Sequence, residues 1–349
     1  MANFDDIFGQ EAAVEALRGA YVSDRLAHGL LFAGPMGVGK RTTADALAAL
    51  WLCEKPAQTR PCGVCQSCRA LGAQTHPDYH WVAKELIRYH DKTGLSKGIS
   101  LSIDVIRPEL IEPATRKAFM GRGKVFVIRQ AELMTAAAQN ALLKTLEEPA
   151  GRTLIILLSD DPDGLLPTVR SRCQVVRFVK LPSELVVDEL EKRGIDRAVA
   201  AAAARLADGS LGIALKWIQD GVVEPARQLH EKLEGILAGR VVADLPAFFR
   251  AGADTYAEKQ IQRDELASKD QATREGLAIY LRLAADFFRA QLPSAGDDSD
   301  GLASICRAID AVSRAGVYLD ANVNIPLVFQ QLSLKLRGLR AGDNSGRRS

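Results

Sequence analysis

Apolar residues recur along this chain with two different periods, and the change between them divides it. Over the first 180 residues, short unbroken apolar runs alternate with stretches in which apolar positions return every three or four residues. The runs predict strands at Leu30–Ala33, Tyr79–Ala83, Lys124–Ile128, Thr153–Ser159 and Gln174–Val179. The periodic stretches predict helices at Gln10–Tyr21, Thr42–Leu52, Ile103–Lys117 and Ala136–Glu148. Strands that are apolar throughout, alternating with amphipathic helices, imply an α/β fold with a parallel sheet covered on both faces. From 181 the strand signal disappears. "SELVVDELEKRG" and "RAVAAAAARLADG" each run to a glycine stop and predict a small helical unit over 181–222. Residues 223–340 keep the helical period, with Gly/Asp-containing breaks expected near 252 and 296–301, and the polar tail 341–349 is expected to be disordered.

Composition narrows the class without choosing a function. A chain of 349 residues exceeds one ordinary core and implies two or three domains. The longest apolar runs, such as "TLIILL" at 153–158, are far too short to span a bilayer. The start "MANFDDIFGQ" lacks a basic segment leading into an apolar one, so the expected location is the cytoplasm, with no membrane partner. A formal net charge of only +2 excludes a general nucleic-acid coat, so any DNA contact has to come from a local patch.

The first chemical motif follows the first strand. In "GPMGVGKRTT", Gly34, Gly37, Gly39 and Lys40 fit a phosphate-binding loop placed between strand and helix. There the glycines let backbone N–H groups close around phosphate oxygens, and the lysine reaches the outer phosphates. Arg41 then stands where a Mg²⁺-holding hydroxyl belongs; Thr42, one residue later and counted with the degenerate phosphate loop, is rotated about 100° further round the helix and does not substitute as metal ligand. The second Mg²⁺ element should be an acidic pair closing a later strand. "KVFVIRQAEL" puts Arg129 and Gln130 there instead, with Glu132 too far on. Hydrolysis is therefore expected to be lost, while ATP or ADP held without hydrolysis remains allowed.

Cys53, Cys62, Cys65 and Cys68 form a C-x8-C-x2-C-x2-C arrangement. Four soft thiolates at such spacing are expected to close a tetrahedral structural Zn²⁺ site with no open position for catalysis. Cys173 and Cys306 stand alone and read as small apolar residues. Arg172, in "LPTVRSRCQ", reads from chemistry alone either as a local ion-pair residue, the commoner fate, or as a finger reaching across a subunit boundary. Lys117, Arg122 and Lys124 read as a solvated turn or a phosphate contact. His28, His76, His80 and His90 receive no chemistry.

Taken together these residues resemble the clamp-loader AAA+ proteins of bacterial replication. The resemblance is carried by "FDDIFGQEAAVEAL", "LAHGLLFAGPMGVGK", the four-cysteine insert, "HPDYHWV", "AAAQNALLKTLEEP" and "LPTVRSRC", in family order over about the first 180 residues. It implies an AAA+ P-loop domain at 1–180 with a zinc module at 53–68, a helical lid at 181–222 and a helical collar at 223–340. Active members keep a hydroxyl after the loop lysine, an acidic pair after the strand and an arginine in the lid. This chain has Arg41, Arg129-Gln130 and, in "GSLGIAL", Gly212. The three departures point to the family's non-hydrolysing member type, and Ser-Arg-Cys at 171–173 matches the family's trans-acting finger, so the resemblance implies that Arg172 acts in trans on a neighbour. The implied partners are the other loader subunits in a hetero-pentamer, the sliding clamp and primed DNA. An ATP-hydrolysing loader subunit and a stand-alone zinc-containing DNA-binding protein are the alternatives.

Overall fold

The computed structural model describes residues 3–90, 100–120, 122–240, 242, 244–263, 269–293, 299–321 and 323–338. They fall into two compact units, Met1–Glu189 with Asp208–Ile213, and Leu190–Ala207 with Ala214–Ser349. The expected disordered tail lies outside the described residues, as do 296–298 of the second expected helix break.

The first unit is built on strands β1 (Gly29–Ala33), β2 (Tyr79–Val82), β3 (Lys124–Ile128), β4 (Thr153–Ser159) and β5 (Gln174–Arg177). They pair in the order β2-β3-β4-β1-β5, every pairing parallel. The continuous apolar runs are explained by burial on both faces, since β1, β3 and β4 are buried at every position. Alternate residues separate cleanly. Leu31, Phe126, Ile128, Ile155 and Leu157 join one core, and Leu30, Phe32, Val125, Val127, Leu154 and Ile156 join the other. β5 stops at Arg177, short of the predicted Val179, because it is an edge strand with only Val176 buried.

Helices α1 (Glu11–Val22) and α2 (Lys40–Leu52) supply apolar residues to the second core. α3 (Gln66–Gly72) was not predicted; it starts inside the cysteine insert. The first core is covered by α4 (103–115) and α5 (Ala136–Glu147). α4 is not the uniform helix the period predicted, because Arg107–Ile111 forms a π turn. Pro108 and Pro113 lack N–H groups, so the regular hydrogen-bond ladder cannot run through them. A short helix α6 (Pro167–Arg170) precedes β5.

Beyond β5 come α7 (Ser183–Lys192), α8 (Arg197–Leu206) and α9 (Leu211–Asp220), followed by α10 (Val223–Leu237), α11 (Leu245–Arg263), α12 (Lys269–Gln291), α13 (Ser299–Asp320) and α14 (Ile325–Arg337). The second unit has α12 at its centre, packed against both α11 and α13. The break expected at 252 does not occur. Gly252 lies inside α11, where an added Cβ would come within 2.7 Å of the Tyr280 ring on α12. That glycine is a packing residue, not a stop. Among the described residues no single helix is long and apolar enough to cross a membrane.

Candidate functional site

The loop between β1 and α2 sits at the carboxyl ends of the strands, where this sheet type holds its ligands. Gly37 has φ +76°, and a Cβ there would meet Ser210 Oγ at 2.3 Å and the Ile213 nitrogen at 2.8 Å. The segment at 208–213 therefore lies directly on the loop. Gly212 N–H donates to the Gly37 carbonyl at 2.9 Å, and Ser210 Oγ donates to the Met36 carbonyl at 2.8 Å. An arginine at 212 could not keep this contact, since even a Cβ would lie 2.7 Å from the Gly37 oxygen.

Lys40 is buried, and its ammonium is fully engaged within this unit. It donates to the Pro35 carbonyl at 2.6 Å, to the Gly34 carbonyl, and to Asp160 Oδ1 at 2.7 Å. The lysine that would meet a phosphate instead neutralises the carboxylate following β4. Thr42 is exposed, and the Thr43 hydroxyl donates to the Gly39 carbonyl at 3.0 Å. The two arginines in place of Mg²⁺ ligands are also occupied elsewhere. Arg41 stacks 4.4 Å from the centre of the Trp81 ring and pairs with Asp45 at 3.7 Å, while Arg129 pairs with Glu85 at 3.6 Å.

The four cysteines converge. Cys53 caps the C-terminus of α2, and Cys65 is the N-cap of α3. All four Sγ atoms lie within 4.8 Å of one another. Cys62 and Cys68 sulfurs are 3.9 Å apart, close to the roughly 3.8 Å edge of a tetrahedron with metal–sulfur bonds of about 2.3 Å. Backbone N–H groups of Cys62, Cys65 and Cys68 donate to the sulfurs of Cys53, Cys62 and Cys65 at 3.2–3.4 Å. Backbone donors at Val64 and Cys65 draw the Cys62 thiol down to about 6, whereas burial pushes Cys53 and Cys68 up. The cluster fits a metal ion: it is an all-sulfur set of four with N–H groups to share thiolate charge.

Arg172 follows α6 and lies two residues before β5. Its Nε donates to Glu147 Oε1 at 2.6 Å, its Nη2 reaches the same oxygen, and Nη1 donates to the Thr168 carbonyl at 3.0 Å. Its side chain remains 35% exposed. Of the basic turn, Lys124 is no surface residue. It is buried, and its ammonium donates to the carbonyls of Pro113, Ala114 and Arg116 at the end of α4. Beside it, buried Asp78 accepts N–H bonds from Phe119 and Met120 at 2.7 and 2.8 Å. Two buried charges thus hold a short loop whose tip, Phe119, is 84% exposed. Sequence reading missed this loop and Asp160 alike; a polar residue placed immediately after a buried strand was the available signal for Asp160.

A parallel sheet in this order with a glycine loop opening a helix after its first strand defines a P-loop protein of the AAA+ type. Residues 9–182 match the family described as DNA polymerase III, delta subunit. The chain is 31% identical to the DNA polymerase III subunit delta' of Bacillus subtilis, over 94% of this chain and 96% of that one. It belongs to the family of DNA polymerase III delta' subunits. The delta' subunit of Pseudomonas aeruginosa is 36% identical over 220 residues, a match spanning 62% of this chain and 63% of the relative. A DNA polymerase III gamma subunit-related protein of Thermotoga maritima aligns structurally over 93% of this chain and 98% of its own, at 19% identity and a TM-score of 0.41.

Proposed function

We propose that this chain is a non-hydrolysing subunit of the replicative clamp loader, the assembly that places a sliding clamp on primed DNA, and that it donates Arg172 to a neighbouring ATPase subunit. One observation carries the reading. The phosphate loop has been turned inward, with Lys40 committed to Asp160 and its own loop carbonyls, while Arg172 stays accessible on an exposed ion pair. A guanidinium has five N–H donors; three are spent on Glu147 and the Thr168 carbonyl, so two remain for a phosphate oxygen while Glu147 keeps its hold. Guanidinium suits that role because it is always charged and offers a planar fork to phosphate oxygens.

The other parts follow. Cys53, Cys62, Cys65 and Cys68 would hold Zn²⁺, the ion whose preferred geometry matches four thiolates; its contribution is to fold the insert, and no reaction step passes through it. Gly34, Gly37, Gly39, Lys40 and Thr42 are a degenerate phosphate loop. ATP or ADP binds there only if Lys40 leaves Asp160, and it is not hydrolysed. The helical stretch at 181–222 serves as a lid and 223–340 as a collar that joins the hetero-pentamer. Exposed Val317, Leu327 and Leu334 on α13 and α14 support an assembly role for that collar. Phe119 supports a partner contact on the first unit. Primed DNA and the clamp are partners of the assembly, and the cytoplasm is where it works.

The test is reconstitution. Mixed with gamma/tau and delta subunits, the chain should co-elute in one complex on size exclusion, and alone it should turn over no ATP. A stable monomer that ignores those subunits, or an intrinsic turnover abolished by Lys40→Ala, overturns the proposal.

A further inference from the structure

We infer that His28 is a positioning residue for Arg172, acting through the last turn of α5; the inference rests on the finger reading above. His28 immediately precedes β1, and its ring Nε2 lies 2.6 Å from the Leu146 carbonyl oxygen, 118 residues away in sequence. A carbonyl only accepts, so Nε2 carries the proton. That carbonyl is one of the last four of α5, which have no partner within their own helix. The next residue, Glu147, is the one that holds Arg172. The imidazole thus fixes the backbone from which the arginine's carboxylate partner projects.

The anchor for this chain of contacts is rigid. The His28 carbonyl accepts the Ile155 N–H at 2.7 Å, tying the residue to central strand β4. β1 also pairs with β5, Leu30 opposite Gln174, only two residues beyond Arg172. Gly29 completes the arrangement. A Cβ there would stand 3.1 Å from the Arg172 carbonyl oxygen and 3.3 Å from Leu146 Cδ2, so the missing side chain lets both segments close over the start of β1. His28 and Gly29 therefore set, from one end of one strand, the two pieces of backbone that carry the donor and its holder. A ring that merely filled space would not need its nitrogen on an orphan carbonyl next to Glu147.

The experiment uses the reconstituted loader with this subunit varied and reads DNA-stimulated ATP turnover. Arg172→Ala defines the loss due to the finger. His28→Phe keeps the ring size and removes the donor; the expected result is a fall in kcat of about twofold or more with KM for ATP unchanged, as for a group that matters in the transition state. His28→Gln, which restores an N–H donor, should recover most of it. In the Arg172→Ala background His28→Phe should cause no further loss, because a positioning residue has nothing left to position. A loss that adds to that of Arg172→Ala, or His28→Phe turnover equal to wild type, overturns the inference. If His28→Phe does not fold, Glu147→Gln, an exposed change, takes its place with the same expected kcat fall and the same non-additivity. If Arg172→Ala alone has no effect, the finger reading fails and this inference falls with it.

Discussion

Lys40 illustrates how one residue can keep a motif and lose its use. Its side chain is 7% exposed and Asp160's is 32% exposed, so the pair lies between a surface and a buried ion pair. Asp160→Ala would leave a nearly buried ammonium with only carbonyl partners, at an expected cost of about 1–3 kcal/mol. The urea midpoint should fall accordingly, and an unchanged midpoint would remove the pair from the account of this site. Two histidines make a second residue-scale prediction. Burial holds His80, stacked at 4.5 Å on Phe126, and His230, 5.1 Å from Phe287, below the ordinary imidazole value. The unfolded chain therefore takes up protons first as pH falls through about 6.5. The stability contributed by the neutral rings is complete above that pH and is lost on going down towards the lower folded values. Denaturation midpoints measured from pH 7.5 to 5 should decline, and His80→Phe with His230→Phe should flatten the slope.

At the scale of elements, the proposed zinc assignment makes the cysteine insert the part whose folding depends on a bound ion. Purified without added metal, the protein should carry close to one zinc per chain, and Cys65→Ser with Cys68→Ser should abolish it while loosening α3. Retained zinc in that double variant would rule out the site. Gly252→Val offers an independent check on α11, since the glycine accommodates the Tyr280 ring. Overpacking there should cost about 1–3 kcal/mol, and a thermal midpoint no lower than wild type would argue against the close contact.

These elements also show what the sequence could reveal. The strands were legible because β1, β3 and β4 are buried on both faces and so carry unbroken apolar runs. The cysteines were legible because their ligand spacing is local. The edge strand β5 ran short because only one of its four residues is buried. The π turn in α4 was hidden because apolar period says little about hydrogen-bond register. Gly252 was misread as a stop, since a glycine needed for helix contact looks the same in sequence as one that ends a helix. Asp160 and His28 were missed for one reason: their partners lie 120 and 118 residues away, and only the strand order brings them together.

For the whole molecule, the account joins a disarmed nucleotide loop to a retained arginine in one chain. On the proposed reading the chain acts within an assembly, so its variants should be silent in isolation and visible in the complex. Arg172→Ala should leave folding, metal content and co-elution with the other subunits unchanged, and Arg172→Lys should recover little, because an ammonium lacks the planar fork. Fingers contribute about 10³–10⁵ in rate at the site they complete. The effect on total turnover is smaller where other interfaces keep their own arginines. The most direct measurement is DNA-stimulated ATPase of the fully assembled loader, with wild-type subunit and with Arg172→Ala side by side. The account predicts a clear fall in turnover with the complex intact; turnover equal to wild type would contradict it and leave Arg172 as the local partner of Glu147.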